Sequence, residues 1–170
     1  MKSNKTVVLV YLIIVVTTSN AFLVRVKGWT HLTHEWSARH AADQLPANES
    51  WWITENLDSF LNGTELPDAH DKANHHVYFS SPSTVSDDSA ARRAKEEYND
   101  ALSNFSAGNF SEAALHAGEM THYISDCASF GHVLDNESQT IHEDYEKWVE
   151  TRTNNYPNDT FSSYLSYDGN

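Results

Sequence analysis

Five stretches of the chain have the composition and the boundaries of α-helices, and none alternates convincingly between polar and apolar residues as a strand would. They cover residues 33–45, 50–62, 89–105, 111–128 and 140–152. Pro46, Gly63 and Gly108 follow the first three stretches, at positions where helices commonly end. Residues 63–88 contain two prolines and a serine-rich run, which predict a loop. The sequence therefore predicts an all-α fold, a compact domain of several helices.

The N-terminal residues have the three parts of a signal peptide. The stretch "MKSNK" is basic, "TVVLVYLIIVV" is apolar, and "TTSNA" ends in the small-x-small pattern that favours cleavage after Ala21. We therefore expect residues 1–21 to be a signal peptide and the protein to be secreted. The alternative is membrane anchoring by the same segment, because its apolar run is nearly long enough to span a bilayer. The polar residues 17–20 favour the signal peptide.

The composition agrees with export. The Asn-x-Ser/Thr sequons beyond the signal peptide, typical of a glycoprotein, are at Asn48, Asn62, Asn104, Asn109, Asn136 and Asn158. The single cysteine, Cys127, excludes an internal disulfide and is interpreted as a buried apolar side chain, so the core or a metal must stabilise the domain. A formal charge of -13 argues against a non-specific nucleic-acid binder. Ten histidines beside 24 acidic residues are typical of a chain that binds multivalent cations.

Histidines and carboxylates recur at helical spacing in the last two stretches. His122 precedes Asp126 by four residues, and His142 precedes Glu146 by four, so each pair lies on one helix face. His122 and Asp126 also fall on the stripe that should face the core. A buried carboxylate is costly unless it is paired or coordinates a metal. The turn "SFG" before His132 would bring a third ligand back towards this pair.

The motifs "HYISD", "GH" and "HEDYE", in this order, resemble those of the zinc-dependent phospholipase C and fungal single-strand nuclease superfamily. That superfamily has His-Tyr-hydrophobic-x-Asp, then His, then His-x-x-x-Glu or Asp. Upstream, "WTHLTH" places Trp29 five residues before His34, and "PDAHDKANHHVY" offers Asp68 and His76, where the superfamily has an Asp and a His. The resemblance extends over residues 29–150.

The resemblance implies a multi-helix domain around a trinuclear zinc site, with three zinc ions per chain. The implied ligands form three sets: Asp68, His76, His122 and Asp126; His132, His142 and Glu146; and His34, a bridging Asp126, and the amino nitrogen and carbonyl oxygen of Trp29. The third set requires Trp29 to be the mature N-terminus. Residues 22–28 are therefore expected to be a propeptide, and residues 29–170 the mature domain.

Two ligand assignments have close competitors. His75 competes with His76, which is preferred because "HVY" matches the superfamily better, and Asp71 competes with Asp68. Histidines that the pattern does not use are expected on the surface or in the core: His31, His40, His70, His75 and His116. The chain also ends soon after the fifth stretch, whereas superfamily members add further helices, so a fragment or a reduced form is expected.

The implied ligands are nitrogen and oxygen donors, which suit zinc. The resemblance implies hydrolysis of a phosphodiester by metal-activated water. Asp68 would orient that water or accept its proton. The first hypothesis is a monomeric, exported phospholipase C that cleaves phospholipid headgroups at a membrane surface, with Tyr78 and Phe79 stacking on choline. The second is a single-strand nuclease, supported by the spacing of Trp29 and His34. The third is a non-catalytic helical domain stabilised by zinc.

Overall fold

The computed structural model describes residues 29–71, 73–81, 84–133 and 139–161, so the predicted signal peptide and propeptide lie outside the described residues. These residues form α1 (His31–Asp43), α2 (Ala47–Thr54), α3 (Leu57–Gly63), α4 (Leu66–His70), β1 (Tyr78–Ser81), β2 (Thr84–Asp87), α5 (Ser89–Ser106), α6 (Phe110–Ala128), a short 3-10 helix (Phe130–His132) and α7 (Gln139–Thr153). The fold is all-α, as predicted, with one small antiparallel hairpin formed by β1 and β2.

The prediction of a loop over residues 63–88 is wrong, because this region contains α4 and the hairpin. Pro67 is the second residue of α4, where its fixed φ suits a helix and its missing N–H costs nothing. In the hairpin, Phe79 pairs with Val85, and aromatic and β-branched residues of this kind favour strands. The strands are only four residues long, too short for an alternating pattern to be recognised in the sequence.

The second predicted helix is divided in two, α2 and α3. The chain leaves the helical path at Asn56, whose side-chain Nδ2 donates to the carbonyl oxygen of Trp52 at 2.8 Å. This bond satisfies a carbonyl at the end of α2, which otherwise has no partner within the helix. The α5–α6 connection follows the prediction closely, because Gly108 has a φ of 79°, a conformation that glycine adopts without steric cost.

Helix α6 occupies the centre of the fold and contacts α1, α2, α3, α4 and α5. The core beside it consists of small and apolar side chains: Ala38, Ile53, Phe60, Ala101, Ala114 and Ala117. Two glycines, Gly63 on α3 and Gly118 on α6, bring these helices into close contact. A Cβ atom on Gly118 would lie 3.0 Å from the Cα of Gly63 and closer still to the carbonyl oxygen of Phe60. Because glycine has no side chain, Gly63 and Gly118 allow α3 and α6 to approach each other this closely.

A buried polar cluster joins α5 and α6. Glu97 is buried, forms an ion pair with Arg93, and accepts a hydrogen bond from His116 at 2.8 Å. Glu119 lies on the facing turn of α6. Burial, followed by the nearby negative charge of Glu97, raises the pKa of Glu119 to about 7. The negative charge of Glu97 therefore opposes the ionisation of Glu119 within the helix interface.

The substitution Glu119→Gln is expected to stabilise the protein in alkaline solution. The folded-state pKa of about 7 exceeds the ordinary glutamate pKa of 4.5, so the stabilising effect of protonation is complete below about pH 4.5 and is lost as the pH rises through 7. Glutamine does not ionise, so the variant should gain about 1 kcal/mol at pH 8, after allowance for solvent screening. The gain should vanish at pH 4.5. Urea unfolding at both pH values tests this, and an equal effect at both would contradict it.

None of the described helices is both long enough and apolar enough to cross a membrane.

Candidate metal centre

Asp126 lies at the centre of a buried group of imidazoles. Its carboxylate is fully buried. Oδ1 lies 3.5 Å from Nε2 of His34, whereas Oδ2 lies 2.6 Å from Nδ1 of His75 and 3.2 Å from Nε2 of His122. The carboxylate thus presents one oxygen to α1 and the other to the segment before β1, an arrangement in which a single aspartate can bridge two cations.

Asp68 joins this group from α4. Its Oδ1 lies 3.9 Å from Nε2 of His122, and the ligand atoms of His34, Asp68 and His122 lie within 4.8 Å of one another. The same limit holds for His75, His122 and Asp126. The rings of His34 and His122 are stacked, with centroids 3.7 Å apart. Two overlapping triads of oxygen and nitrogen donors therefore share His122, as expected of adjacent cation sites.

A third triad consists of His132, His142 and Glu146. Oε1 of Glu146 lies 2.5 Å from Nε2 of His142 and 3.6 Å from Nε2 of His132. The helical spacing of four residues on α7 places His142 beside Glu146, while the 3-10 helix after α6 brings in His132. All three side chains are buried. This triad adjoins the first group, because the rings of His132 and His75 have centroids 6.4 Å apart.

The substitution Gly131→Ala should disrupt this third triad. A Cβ atom on Gly131 would lie 2.6 Å from Cγ of His142, which is closer than two carbon atoms can approach without a steric clash. The His142 ring would have to move away from Glu146, so we expect a zinc affinity at least about tenfold lower at this triad. Competition titration with a coloured chelator measures this, with Ala91→Ser on the exposed face of α5 as the control. Unchanged affinity of the alanine variant would contradict the expectation.

Backbone carbonyl oxygens fix the orientation of three of these imidazoles. The donor and acceptor pairs are His122 Nδ1 with the carbonyl of Thr64 at 2.7 Å, His132 Nδ1 with the carbonyl of His75 at 2.6 Å, and His75 Nε2 with the carbonyl of Asp71. A carbonyl oxygen only accepts, so each of these ring nitrogens carries the hydrogen. In the neutral ring the other nitrogen then presents its lone pair to the cluster, as a metal ligand requires.

His34 is oriented in a different way. Its Nδ1 lies 2.7 Å from Oγ of Ser125, and the Ser125 hydroxyl donates to the carbonyl oxygen of His122 at 2.8 Å. Because the only hydroxyl hydrogen is used in that bond, Ser125 accepts from Nδ1 of His34. The Nε2 atom of His34 therefore also faces the cluster with a lone pair.

Three buried atoms of the cluster have no hydrogen-bond partner: His34 Nε2, Asp126 Oδ1 and His132 Nε2. Buried polar groups are nearly always satisfied, so such atoms require an explanation. Each of these atoms lies 3.5–3.6 Å from another possible metal-ligand atom of the cluster. Cations bound between these donors would satisfy all three atoms, and the residues present therefore fit zinc.

The residues of the cluster differ in how the site shifts their pKa values. Burial raises the pKa of Asp126, but the surrounding His34, His122 and His75 lower it more, so the carboxyl stays ionised. Burial lowers the pKa of His34 well below its usual value. Burial also raises the pKa of Asp68, which lies at the edge of the cluster with 34% of its side chain exposed. The site therefore combines an ionised carboxylate, Asp126, with a neutral imidazole, His34, and these are the states in which both bind metal.

The structure places His75, and not the preferred His76, against Asp126. Both residues lie in the segment between α4 and β1, but their rings have different partners. His76 stacks instead on the rings of Tyr78 and His132, at 4.7 and 5.2 Å between centroids. The sequence indicates that one histidine of the doublet "HH" is a ligand. Only the folded chain shows that His75 is the one that faces Asp126.

The other competing pair separates clearly in space. Asp68 lies near His122, whereas Asp71 faces Arg93 and Tyr123. Trp29 lies at the start of the described residues, and its indole contacts the ring of Tyr145, the residue before Glu146. All predicted ligands except His76 and Trp29 thus belong to the three triads.

A family model matches most of the chain. No curated protein and no solved structure matches the chain. The family model described as "Zinc dependent phospholipase C" matches residues 33–169, which is most of the sequence and includes every residue of the three triads. The chain belongs to the zinc-dependent phospholipase C family.

Proposed function

We propose that the protein is an exported phosphodiesterase of the phospholipase C type that cleaves phospholipid headgroups with three zinc ions. The observation that carries the proposal is the position of the Asp126 carboxylate, with one oxygen towards His34 and the other towards His75 and His122. A carboxylate shared in this way would hold two cations close to each other. Neighbouring cations of this kind are typical of enzymes that hydrolyse phosphate esters.

Three sets of residues would hold the ions. The first consists of Asp68, His75, His122 and Asp126; the second of His132, His142 and Glu146; and the third of His34, Asp126, and the amino nitrogen and carbonyl oxygen of Trp29. The first set departs from the sequence prediction in one member, His75 in place of His76. Trp29 would supply its amino nitrogen only after removal of residues 22–28, which is why a propeptide forms part of the proposal.

Zinc ions, when bound, lower the pKa of a water molecule and offset the negative charge of a phosphodiester. The chain supplies the groups that surround this chemistry. Asp68 is partly exposed, and burial raises the pKa of its carboxyl, so it is suited to orient the attacking water and to accept its proton. The buried Asp126 stays ionised and keeps the donors of the two neighbouring sets together.

The hairpin is suited to contact a lipid headgroup. The backbone N–H of Val77, just before β1, donates to the carbonyl oxygen of His132 at 3.0 Å, so the hairpin is attached directly to the metal cluster. Phe79 is 47% exposed and pairs with the exposed Val85. An exposed aromatic ring on this hairpin can stack on a quaternary ammonium group and enter a lipid surface. We propose that Phe79 contributes to choline and membrane recognition.

Export is supported by the sequence and by the exposure of its sequons. Asn48, Asn62, Asn109 and Asn158 are exposed, as glycosylated asparagines must be. The side chain of Asn104 is partly buried and donates to the carbonyl oxygen of Asp100 at 3.0 Å. We propose that residues 1–21 direct secretion and that the four exposed sequons carry the glycans.

The proposal is tested with protein that begins at Trp29, first by elemental analysis after dialysis and then by hydrolysis assays. We expect three zinc ions per chain and release of phosphocholine from phosphatidylcholine vesicles, with little cleavage of single-stranded DNA. Cleavage of the DNA alone would replace the proposal by the nuclease alternative. Three zinc ions without either activity would indicate a non-catalytic domain stabilised by metal, and absence of zinc would overturn the metal-dependent proposal altogether.

A further inference from the structure

The segment between α4 and β1, which carries His75, is attached to the rest of the fold through Asp71. Oδ2 of Asp71 accepts a hydrogen bond from the hydroxyl of Tyr123 at 2.9 Å and forms an ion pair with Nε of Arg93 at 3.2 Å. Oδ1 accepts from Nδ2 of Asn74 at 2.6 Å. Oδ2 of Asp71 therefore holds this short segment against α5 and α6, while Oδ1 connects Asp71 to Asn74 within the segment.

The backbone of the same residue holds the histidine. Nε2 of His75 donates to the carbonyl oxygen of Asp71, which leaves Nδ1 facing Asp126 and His122 at 2.6 and 3.2 Å. The side chain of Asp71 thus determines where its own carbonyl lies, and that carbonyl determines which nitrogen of His75 faces the cluster. A shift of Asp71 would rotate the imidazole away from Asp126.

Arg93 is itself held in a fixed position. Its guanidinium forms ion pairs with Glu96 at 2.6 Å and with the buried Glu97, and it lies over the ring of Tyr123 at 5.5 Å from the centroid. Tyr123 is almost completely buried on α6, one residue after His122. The charge that faces Asp71 is therefore supplied by a side chain with little freedom to move, as an effective supporting group requires.

We propose that Asp71, Arg93 and Tyr123 form a positioning device that aims His75 at the zinc ion shared with His122 and Asp126. This inference rests on the proposed function, because it assumes that the cluster binds zinc. None of the three residues contacts the reacting atoms. Their contribution is to the affinity and geometry of one metal site, where supporting groups of this kind are typically worth about 10–100-fold in affinity.

Two variants with a matched control test the inference. Tyr123→Phe removes only the hydroxyl that binds Asp71, and Asp71→Asn removes the charge that faces Arg93 while keeping the carbonyl that binds His75. Arg92→Gln is the control, because Arg92 is an exposed neighbour whose ion pair is with Asp88. Zinc affinity is measured by chelator competition, and site geometry by the visible absorption spectrum of the cobalt-substituted protein.

We expect both variants to bind one of the three ions about 10–100-fold more weakly and to change the cobalt spectrum, while Arg92→Gln behaves as the native chain. Arg93→Lys, which keeps the charge, should lose less affinity than Arg93→Gln. A native affinity and spectrum in both variants, even with a lower melting temperature of the metal-free protein, would show a purely structural role and overturn the inference alone. A native chain that binds no zinc would overturn the proposed function and the inference together.

Discussion

The substitution Asp126→Asn is expected to release metal from two of the three sets and to abolish phosphodiester hydrolysis. Asparagine keeps the shape of the side chain but replaces one oxygen by an NH₂ group, which donates hydrogen bonds and is a poor metal ligand. Because the two oxygens of Asp126 face different imidazoles, the NH₂ group removes the ligand atom on one side, and the loss of the negative charge weakens the oxygen that remains on the other side. Substitution of a shared ligand should weaken metal binding more than substitution of a supporting residue does. We therefore expect activity to fall by more than about 100-fold.

Elemental analysis of the dialysed variant, together with phosphocholine release, provides the measurement. Asp100→Asn, an exposed position on α5, is the matched control and should keep the native zinc content and activity. The triad of His132, His142 and Glu146 does not include Asp126, so one ion per chain should remain in the variant. Retention of all zinc together with full activity would contradict the bridging role of Asp126.

The substitution Gly118→Ala is expected to destabilise the whole domain. The added methyl group would overlap the carbonyl oxygen of Phe60 and approach the Cα of Gly63 at 3.0 Å, and both of these are backbone atoms that cannot rotate away. Helices α3 and α6 would have to separate, so the variant should lose about 3 kcal/mol of stability. Because α6 also carries His122 and Asp126, the separation would disturb the metal cluster as well.

Denaturant unfolding followed by circular dichroism measures this loss, preferably on zinc-free protein so that metal affinity does not enter the result. Ala91→Ser, which adds one atom on the exposed face of α5, should change the stability by less than about 0.5 kcal/mol. A Gly118→Ala variant as stable as the native chain would mean that the contact between α3 and α6 is looser than the structure shows.

The sequence was sufficient for those parts of the fold and site that depend on neighbours along one helix. The spacing of four residues places His122 beside Asp126 on α6 and His142 beside Glu146 on α7, because the period of an α-helix is a local property. The bounds of α5, predicted as 89–105 and observed as Ser89–Ser106, follow from strong helix formers and the glycine after them.

The features that only the tertiary structure decided involve segments without a helical period. His75 faces Asp126 because the carbonyl and the carboxylate of Asp71 hold the segment before β1. The orientation of the His75 ring therefore depends on contacts with distant residues and cannot be read from its neighbours in the sequence. Asp71 and Asp68 likewise take separate roles only once Arg93 is placed beside one of them. The sequence by itself thus determined an all-α fold and the helical pairs of ligands, since both depend on local periodicity. Contacts between distant segments decided which of two adjacent histidines joins the cluster, since those contacts exist only in the folded chain.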